Sequence, residues 1–547
     1  MKKVLFLTLA ILLISSMIIS SCSEPAPEPQ PSPTIAPTAE PSPTSQPEPT
    51  SKPEPTSQPK PTAEPSGPKY GGTMTFIWDP CPVTPIGWPA EAFGVAVTVM
   101  DLCAENLLRE RADATYEPCL AESYDVHPDE LYIDFKIRKG VKFHDGSDLT
   151  PEVVRWNYQS LIDASAWGTD NWESVEVIGD DTVRFHLKTW RCFELRSYVS
   201  PYIISKEAYD KNGLDWVRWN LVGTGPFKFV SFEKDASFKT VRNDNYWREG
   251  LPYLDAIDVI FPADWTTQKA VMLAGDADFM FCELGKVVAD MRDLGFEVVC
   301  NHQTVFCMVT DSVNEDSPYS DKRVRMALEY AIDKEEIAEG LGHGLWEAPY
   351  QVIPRDHPSW DPDYKGGSRT YDPEKAKALL AEAGYPDGFK TTLNPAAAAL
   401  DRNVNVAVQQ YLADVGIDAE LEFAEQAKYM EYAFNGWNNR ILHDTISGYA
   451  NYLYTLNMFF HPEYKLLPSL KRPDGYADMF YDALYDEELD VQKLRDICYY
   501  LIEEEAMVIP IYEAGKGIAY NDYIKDAGFF AFGDPWYFTP ETAWLDK

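Results

Sequence analysis

LVGTGPFKFVSFEKDASFKTVRNDNYWREGLPYLDAIDVIFPADWTTQKAVMLAGDADFM, residues 221–280, is the stretch on which the fold turns. Gly223-Thr224-Gly225-Pro226 reads as a turn, with glycine permitting positive φ and Pro226 ending any helix. FKFVSFE (227–233) and SFKTVRN (237–243) then predict two strands around a polar break at Lys234-Asp235. Asn245-Tyr246-Trp247 leads through a connector to a third strand, AIDVIFP (256–262). A helix ending near Gly275 follows, with Ala270, Leu273 and Ala274 expected on its apolar face. Nothing in this stretch is chemically reactive. The pattern alone predicts a strand pair and one βα unit of a larger mixed domain.

The ordered blocks GTGPFKF, RNDNYW, LPYLDAI and LAGDADF resemble the core signature of the family 5 extracellular solute-binding proteins. These are the oligopeptide-, dipeptide- and nickel-type receptors of ABC importers. The resemblance implies an α/β fold, a two-lobed periplasmic-binding-protein-like clamp of mixed sheets flanked by helices, with an insertion subdomain in lobe I. It also implies binding without catalysis. A ligand that touches both lobes only when the cleft is shut favours the closed state by its differential affinity. The closed form then docks on the ABC permease pair, and separate ATPase subunits drive release. No cofactor is implied.

Upstream, Met1-Lys2-Lys3 and the apolar run 4–19 fit a secretory signal, too short for a spanning helix of ~20 residues. Ile19-Ser20-Ser21-Cys22 resembles a lipobox, which implies cleavage of 1–21 and lipid on Cys22. Two acyl chains anchor stably where one does not. Residues 22–68 carry that cysteine and a Pro-rich stalk, with PSPT at 31–34 and 41–44 and PEPTS at 47–51 and 53–57. Such a segment cannot bury a core and reads as a disordered, extended spacer. The expected location is extracytoplasmic, anchored by lipid at the outer face of the cytoplasmic membrane or in the periplasm. With 48 basic and 87 acidic residues, the net charge of −39 excludes a basic nucleic-acid footprint.

Working outward, residues 69–110, 221–305 and 515–547 are read as lobe I, 111–220 as its insertion and 306–514 as lobe II. LYIDFKIRKGVKFHDG (131–146) alternates Ile133, Phe135 and Ile137 against Tyr132, Asp134, Lys136 and Arg138. Thr150-Pro151-Glu152 predicts a helix N-terminus. Val324, Ala327, Leu328, Ala331 and Ile332 fall at helical spacing, and Asp333 with Glu336 has capping-box spacing. Asp372-Pro373 opens another helix that Gly384 ends.

Candidate ligand contacts come from two places. Trp78, Asp79 and Trp88 follow the first expected strand, whose carboxyl end faces the cleft in the resembled family. In lobe II, peptide-binding members carry a Gly-Trp-x-x-Asp-like stretch whose acid holds the peptide's α-ammonium. Here Gly448-Tyr449-Ala450-Asn451-Tyr452 lacks the acid, and Asp444 is the nearest substitute. Trp437, Tyr449, Asn451 and Tyr452 supply aromatic faces and amides suited to a sugar or another uncharged ligand, and Trp346 sits in an irregular cleft loop (340–349). Peptide is the expected cargo, with an oligosaccharide or other neutral solute as the alternative. An extracellular hydrolase or a sensor or adhesion module is the reading from other classes. No G-x-S-x-G, H-E-x-x-H or Walker A pattern occurs, and His144-Asp145 has no nucleophile beside it. No His spacing supports a metal site. The cysteines at 81, 103, 119, 192, 282, 300, 307 and 498 lack a C-x-x-C pair, and export leaves disulfides open without fixing a pairing.

Overall fold

The computed structural model describes residues 67–547 except 93, 167, 283–284, 365–368, 397–401, 464–465 and 533–537. The expected signal, Cys22 and all but the last residues of the stalk lie outside the described residues. Thr73–Ile77 pairs in parallel with Ala256–Ile260 on one side and Phe279–Cys282 on the other. Ser237–Arg242 and Phe227–Glu233 extend that edge antiparallel, so the deciding stretch does supply strands as its alternation predicts. On the other edge Phe279–Cys282 pairs with Val508–Tyr520, which pairs with Glu297–Thr310. Beyond lie Arg440–Ser447, Phe389–Pro395 and Ile417–Leu421, completing the path of an 11-stranded sheet to which Trp346–Glu347 attaches.

Two strands of this sheet run from the core about Phe76, called lobe I, into the cores about Leu328 and Tyr452, called lobe II. Glu297–Thr310 has 14 residues and Val508–Tyr520 has 13, each spanning roughly 45 Å at ~3.3 Å per residue. The first is half-buried up to Gln303 and buried from Thr304 onward, as it passes into lobe II. Its pairing with the second shifts register between His302 and Thr304. An extra residue there bends the strand, which suits a hinge.

Lobe I packs Phe76, Phe279 and Phe538 within 4.8–5.6 Å of one another, over Ile257 and Phe238. Lobe II fills both faces of its half-sheet. Val324, Ala327, Leu328, Ala331 and Ile332 are all buried on one face, matching their helical spacing. Tyr452, Leu456, Phe460 and Leu494 pack on the other. The caps are formed as read: Thr150, Asp333 and Asp372 accept from Val153, Glu336 and Lys375 N–H. In the insertion, Ile133, Phe135 and Ile137 face inward beneath Tyr158 of helix Pro151–Asp163.

Two expectations fail. Gly223 and Gly225 do not have positive φ. They are needed because the chain passes against the 103–104 backbone: a Cβ on Gly223 would stand 2.3 Å from the Cys103 carbonyl oxygen. Gly223→Ala is therefore expected to destabilise by about 1–3 kcal/mol through overpacking, read as a lower urea midpoint at unchanged slope. An unchanged midpoint would mean that this contact relaxes freely. Second, helix Trp265–Ala274 buries Gln268 and Met272 instead of Ala270, Leu273 and Ala274. Gln268 Nε2 donates to Pro262 O at 3.0 Å and Asp79 Oδ2 at 3.2 Å, and those bonds fix the helix face. The eight described cysteines, left open by the sequence, are free thiols.

The insertion also reaches lobe II. Cys192 N–H donates to Leu484 O at 2.9 Å, and the Trp190 indole donates to Asp486 O and Glu487 O at 3.1 and 3.0 Å. Phe193, only 1% exposed, enters the lobe II core edge-on to Tyr454 with centroids 5.3 Å apart.

Candidate ligand cleft at the crossing strands

The strand register places a small cavity where the shared strands enter lobe II. Thr304 lies between Ser447 and Ala514, and Phe306 lies between Thr445 and Tyr512. Side chains alternate across a sheet, so these rows share one face. The cavity they border holds about 410 Å³, with Gly515 and Lys516 at its lobe I end. Phe306 is its one aromatic lining residue among those described; it stacks on Tyr512 at 4.1 Å, and Tyr512 on Trp346 at 4.4 Å. Thr304 is 5% exposed, and among the described residues nothing hydrogen-bonds its Oγ1.

The opposite face of the same strands is different. It carries Val305, Cys307, Asp444, Ile446 and Glu513, as the register pairs require. Asp444 is thus turned away from the cavity, its Oδ1 accepting from Thr445 N–H at 2.7 Å, and burial pushes its carboxyl up. Glu513 accepts from Arg355 N–H at 2.6 Å, and burial pushes it up to about 7. A larger cavity, about 520 Å³, lies within lobe II beside Gln351, Tyr364 and Arg495. There Arg495 holds a loop, donating to Ser359 O at 3.0 Å and Trp360 O at 2.6 Å.

The sequence candidates scatter around this geometry. Trp346 is buried in a core cluster, stacked on Tyr512, which in turn stacks on the lining Phe306. Tyr449 lies at the junction with the insertion, its ring 5.1 Å from the Arg196 guanidinium. Burial pushes its phenol up while Arg196 and Lys516 pull the other way, so both cations stand near it. Trp78 and Asp79 leave the carboxyl end of the central strand, with Trp78 edge-on to Phe281 at 4.2 Å. Trp88 stacks on Tyr209 at 5.3 Å inside lobe I. Trp437 and Tyr452 belong to the lobe II core, their polar atoms donating to Arg440 O and Val352 O. Asn451 caps helix Tyr452–Phe460 by accepting from Leu453 N–H at 3.1 Å. The cavity residues Thr304, Phe306, Thr445, Ser447 and Lys516 were not singled out by the sequence. A period-two reading of HQTVF against HDTIS would have found the hydroxyl rows, given the pairing.

The model of the bacterial extracellular solute-binding proteins, family 5 (middle region), matches residues 115–465. The chain belongs to that family. Among curated relatives, heme-binding protein A of Haemophilus influenzae is 30% identical over 60% of this chain and 65% of its own length. The glutathione-binding protein GsiB of Pectobacterium atrosepticum is 32% identical over 55% and 60%, respectively. The chain thus spans less than two thirds of either relative. Among solved structures, the oligopeptide-binding protein AppA of Bacillus subtilis, in complex with a nonapeptide, aligns with TM-score 0.73 at 22% identity over 88% of this chain and all of that one. DppA of Helicobacter pylori, in complex with the peptide STSA, gives 0.72 at 21% over 88% and 99%. At these identities the likeness establishes the fold of a family 5 protein, the two-lobed clamp.

Proposed function

We propose that this chain is the lipid-anchored, extracytoplasmic receptor of an ABC importer, which captures a peptide by closing its cleft and presents it to the permease subunits. The observation that carries the reading is the cavity at the crossing strands. A ligand there rests on the only segments that run unbroken through both lobes of the main sheet among the described residues, so its contacts depend on the angle between lobes. The lipid expected on Cys22 keeps the receptor near its permease. Trp346 and Tyr449 border the bound ligand, with Trp78 and Asp79 facing it from lobe I. The family 5 membership supports binding as the role, with chemistry left to other subunits. Among the described residues no helix is long and apolar enough to cross a membrane. The hydroxyl rows and the Phe306 face also suit a neutral oligosaccharide, which is the second reading.

Thermal unfolding of the purified protein with mixed peptides, and separately with oligosaccharides, tests both. A ligand that binds only the native state stabilises it by ~2.7 kcal/mol at a hundredfold excess over Kd. Peptides are expected to raise the midpoint. A rise with oligosaccharides alone would replace the peptide reading by the second one.

A further inference from the structure

His302 sits where the two crossing strands lose register, and it is tied across the bend. It pairs with Gly515, the last partner before the shift at 302–304. Its backbone N–H donates to Asp356 Oδ2 at 2.8 Å, its ring Nδ1 lies 3.3 Å from the same oxygen, and its Nε2 lies 3.1 Å from Leu345 O. Both partners belong to a segment rooted in lobe II, where Trp346, Val352 and Ile353 are core residues. His302 itself lies on the half-buried, lobe I part of its strand. A carboxylate and a carbonyl only accept, and a neutral imidazole has a single N–H. Only the doubly protonated ring makes both side-chain bonds. A neutral ring drops one of them and sets a lone pair against an oxygen.

Glu513, two positions from Gly515, puts a second titrating group on the same face. Burial pushes its carboxyl up to about 7 against the Arg355 N–H and the nearby His302 ring, and Asp356 adds to the rise. On the strand beside it, Glu347 stands opposite Glu513 and is paired with Arg355. The Tyr452 phenol, which is in the field of Glu513, donates to Val352 O. Lys516 projects from the other face of its strand.

We propose that His302 is a proton-operated lock on the hinge: doubly protonated, it fastens the crossing strand to segment 345–356, and losing one proton frees the bend. Glu513, once ionised, steadies the cation and holds the lock to higher pH. The sign is that of a cation that gains partners, so the lock is whole at low pH and is lost as pH rises. Histidine changes charge between about pH 5 and 8, so about pH 5 and about pH 9 bracket the switch. The lock needs only the clamp and goes beyond the receptor reading. Where ligand contacts depend on the angle between lobes, capture weakens as pH rises.

X-ray scattering of the purified full chain without ligand, across that pH range, reads the lock. The radius of gyration is expected to rise with pH in the wild type, because a freed bend samples wider cleft angles. His302→Gln, neutral at every pH, should show the larger radius throughout. His302→Arg, charged at every pH and able to donate to both partners, should keep the smaller one. Glu513→Gln should move the rise to lower pH. Proton NMR of the His302 ring, assigned by its absence from the His302→Gln spectrum, should titrate over the same interval as the radius. Thermal midpoints identify any variant that is merely unfolded, and the wild-type titration and the remaining variants then decide. A radius independent of pH, or a pH-dependent rise kept in both His302 variants, would overturn the proposal. So would a His302 ring that titrates outside the interval of the radius change. No ligand is used, so these failures leave the receptor reading untouched.

Discussion

Glu541→Ala is expected to cost about 3–5 kcal/mol of stability, because it strips a buried carboxylate from between two arginines. Glu541 is 1% exposed, and its Oε1 accepts from Arg109 Nη1 at 2.5 Å and Arg248 Nη1 at 3.0 Å. Arg109 stands where the chain enters the insertion and Arg248 lies in the deciding stretch, so one carboxylate pins the C-terminal segment to both. Breaking such a group leaves Arg248 and Arg109 desolvated, with only the longer 3.7 Å approach to Glu105 remaining for Arg109, which costs more than the assembled cluster contributes. Burial alone would raise the Glu541 carboxyl, but Arg109 and Arg248 outweigh it and hold the group below the usual range. A carboxylate depressed in the folded state contributes its stability above the unfolded pKa of ~4.3, and the contribution is lost as pH falls through the folded value. Urea unfolding of wild type and Glu541→Gln from pH 7 to pH 3 reads both effects. The glutamine variant should be less stable at pH 7 and should show the flatter acid limb. A loss below about 1 kcal/mol for Glu541→Ala would mean that solvent or a rearranged neighbour replaces the carboxylate.

The ease of reading the chain followed the range of the interactions involved. Caps at Thr150, Asp333 and Asp372 depend on a backbone N–H three residues away, so local sequence contains the whole interaction. The buried rows Ile133-Phe135-Ile137 and Val324-Ala327-Leu328 are likewise set by period alone. Gly223 could not be explained locally, since what it accommodates is the Cys103 carbonyl 120 positions earlier. The helix at 265–274 misled for a related reason. Its inward face is chosen by Gln268, whose partner Asp79 is distant in sequence. The cleft is the extreme case. Thr304, Thr445 and Lys516 come from three separated strands, and only the register of those strands makes them neighbours. Asp444 was attractive because it is an acid near the expected motif. A one-residue step along a strand, which linear proximity does not register, places it on the face opposite the candidate cavity.

Phe193→Ala is expected to weaken ligand binding by up to ~100-fold, although the side chain lies outside the cavity. Truncating a buried phenylalanine costs about 3–5 kcal/mol where it is packed and almost nothing where it is already exposed. Phe193 projects from the insertion, which is continuous with lobe I, into the core of lobe II. It is flanked by the Cys192 and Trp190 hydrogen bonds to residues 484–487. On the proposed receptor reading, cleft opening about the 302–304 bend withdraws it from lobe II. The contact therefore stabilises the closed state against the open one, and its loss lowers the fraction of molecules competent to bind. Apparent Kd rises as that fraction falls. X-ray scattering of the ligand-free variant should give a larger radius of gyration than the wild type, and saturating ligand should restore the wild-type value. The competing possibility is that Phe193 stays buried in both states and only cements the fold. In that case the variant would lose 3–5 kcal/mol in urea unfolding while affinity and scattering stayed at wild-type values, and the insertion would be a passenger of lobe II and no clasp.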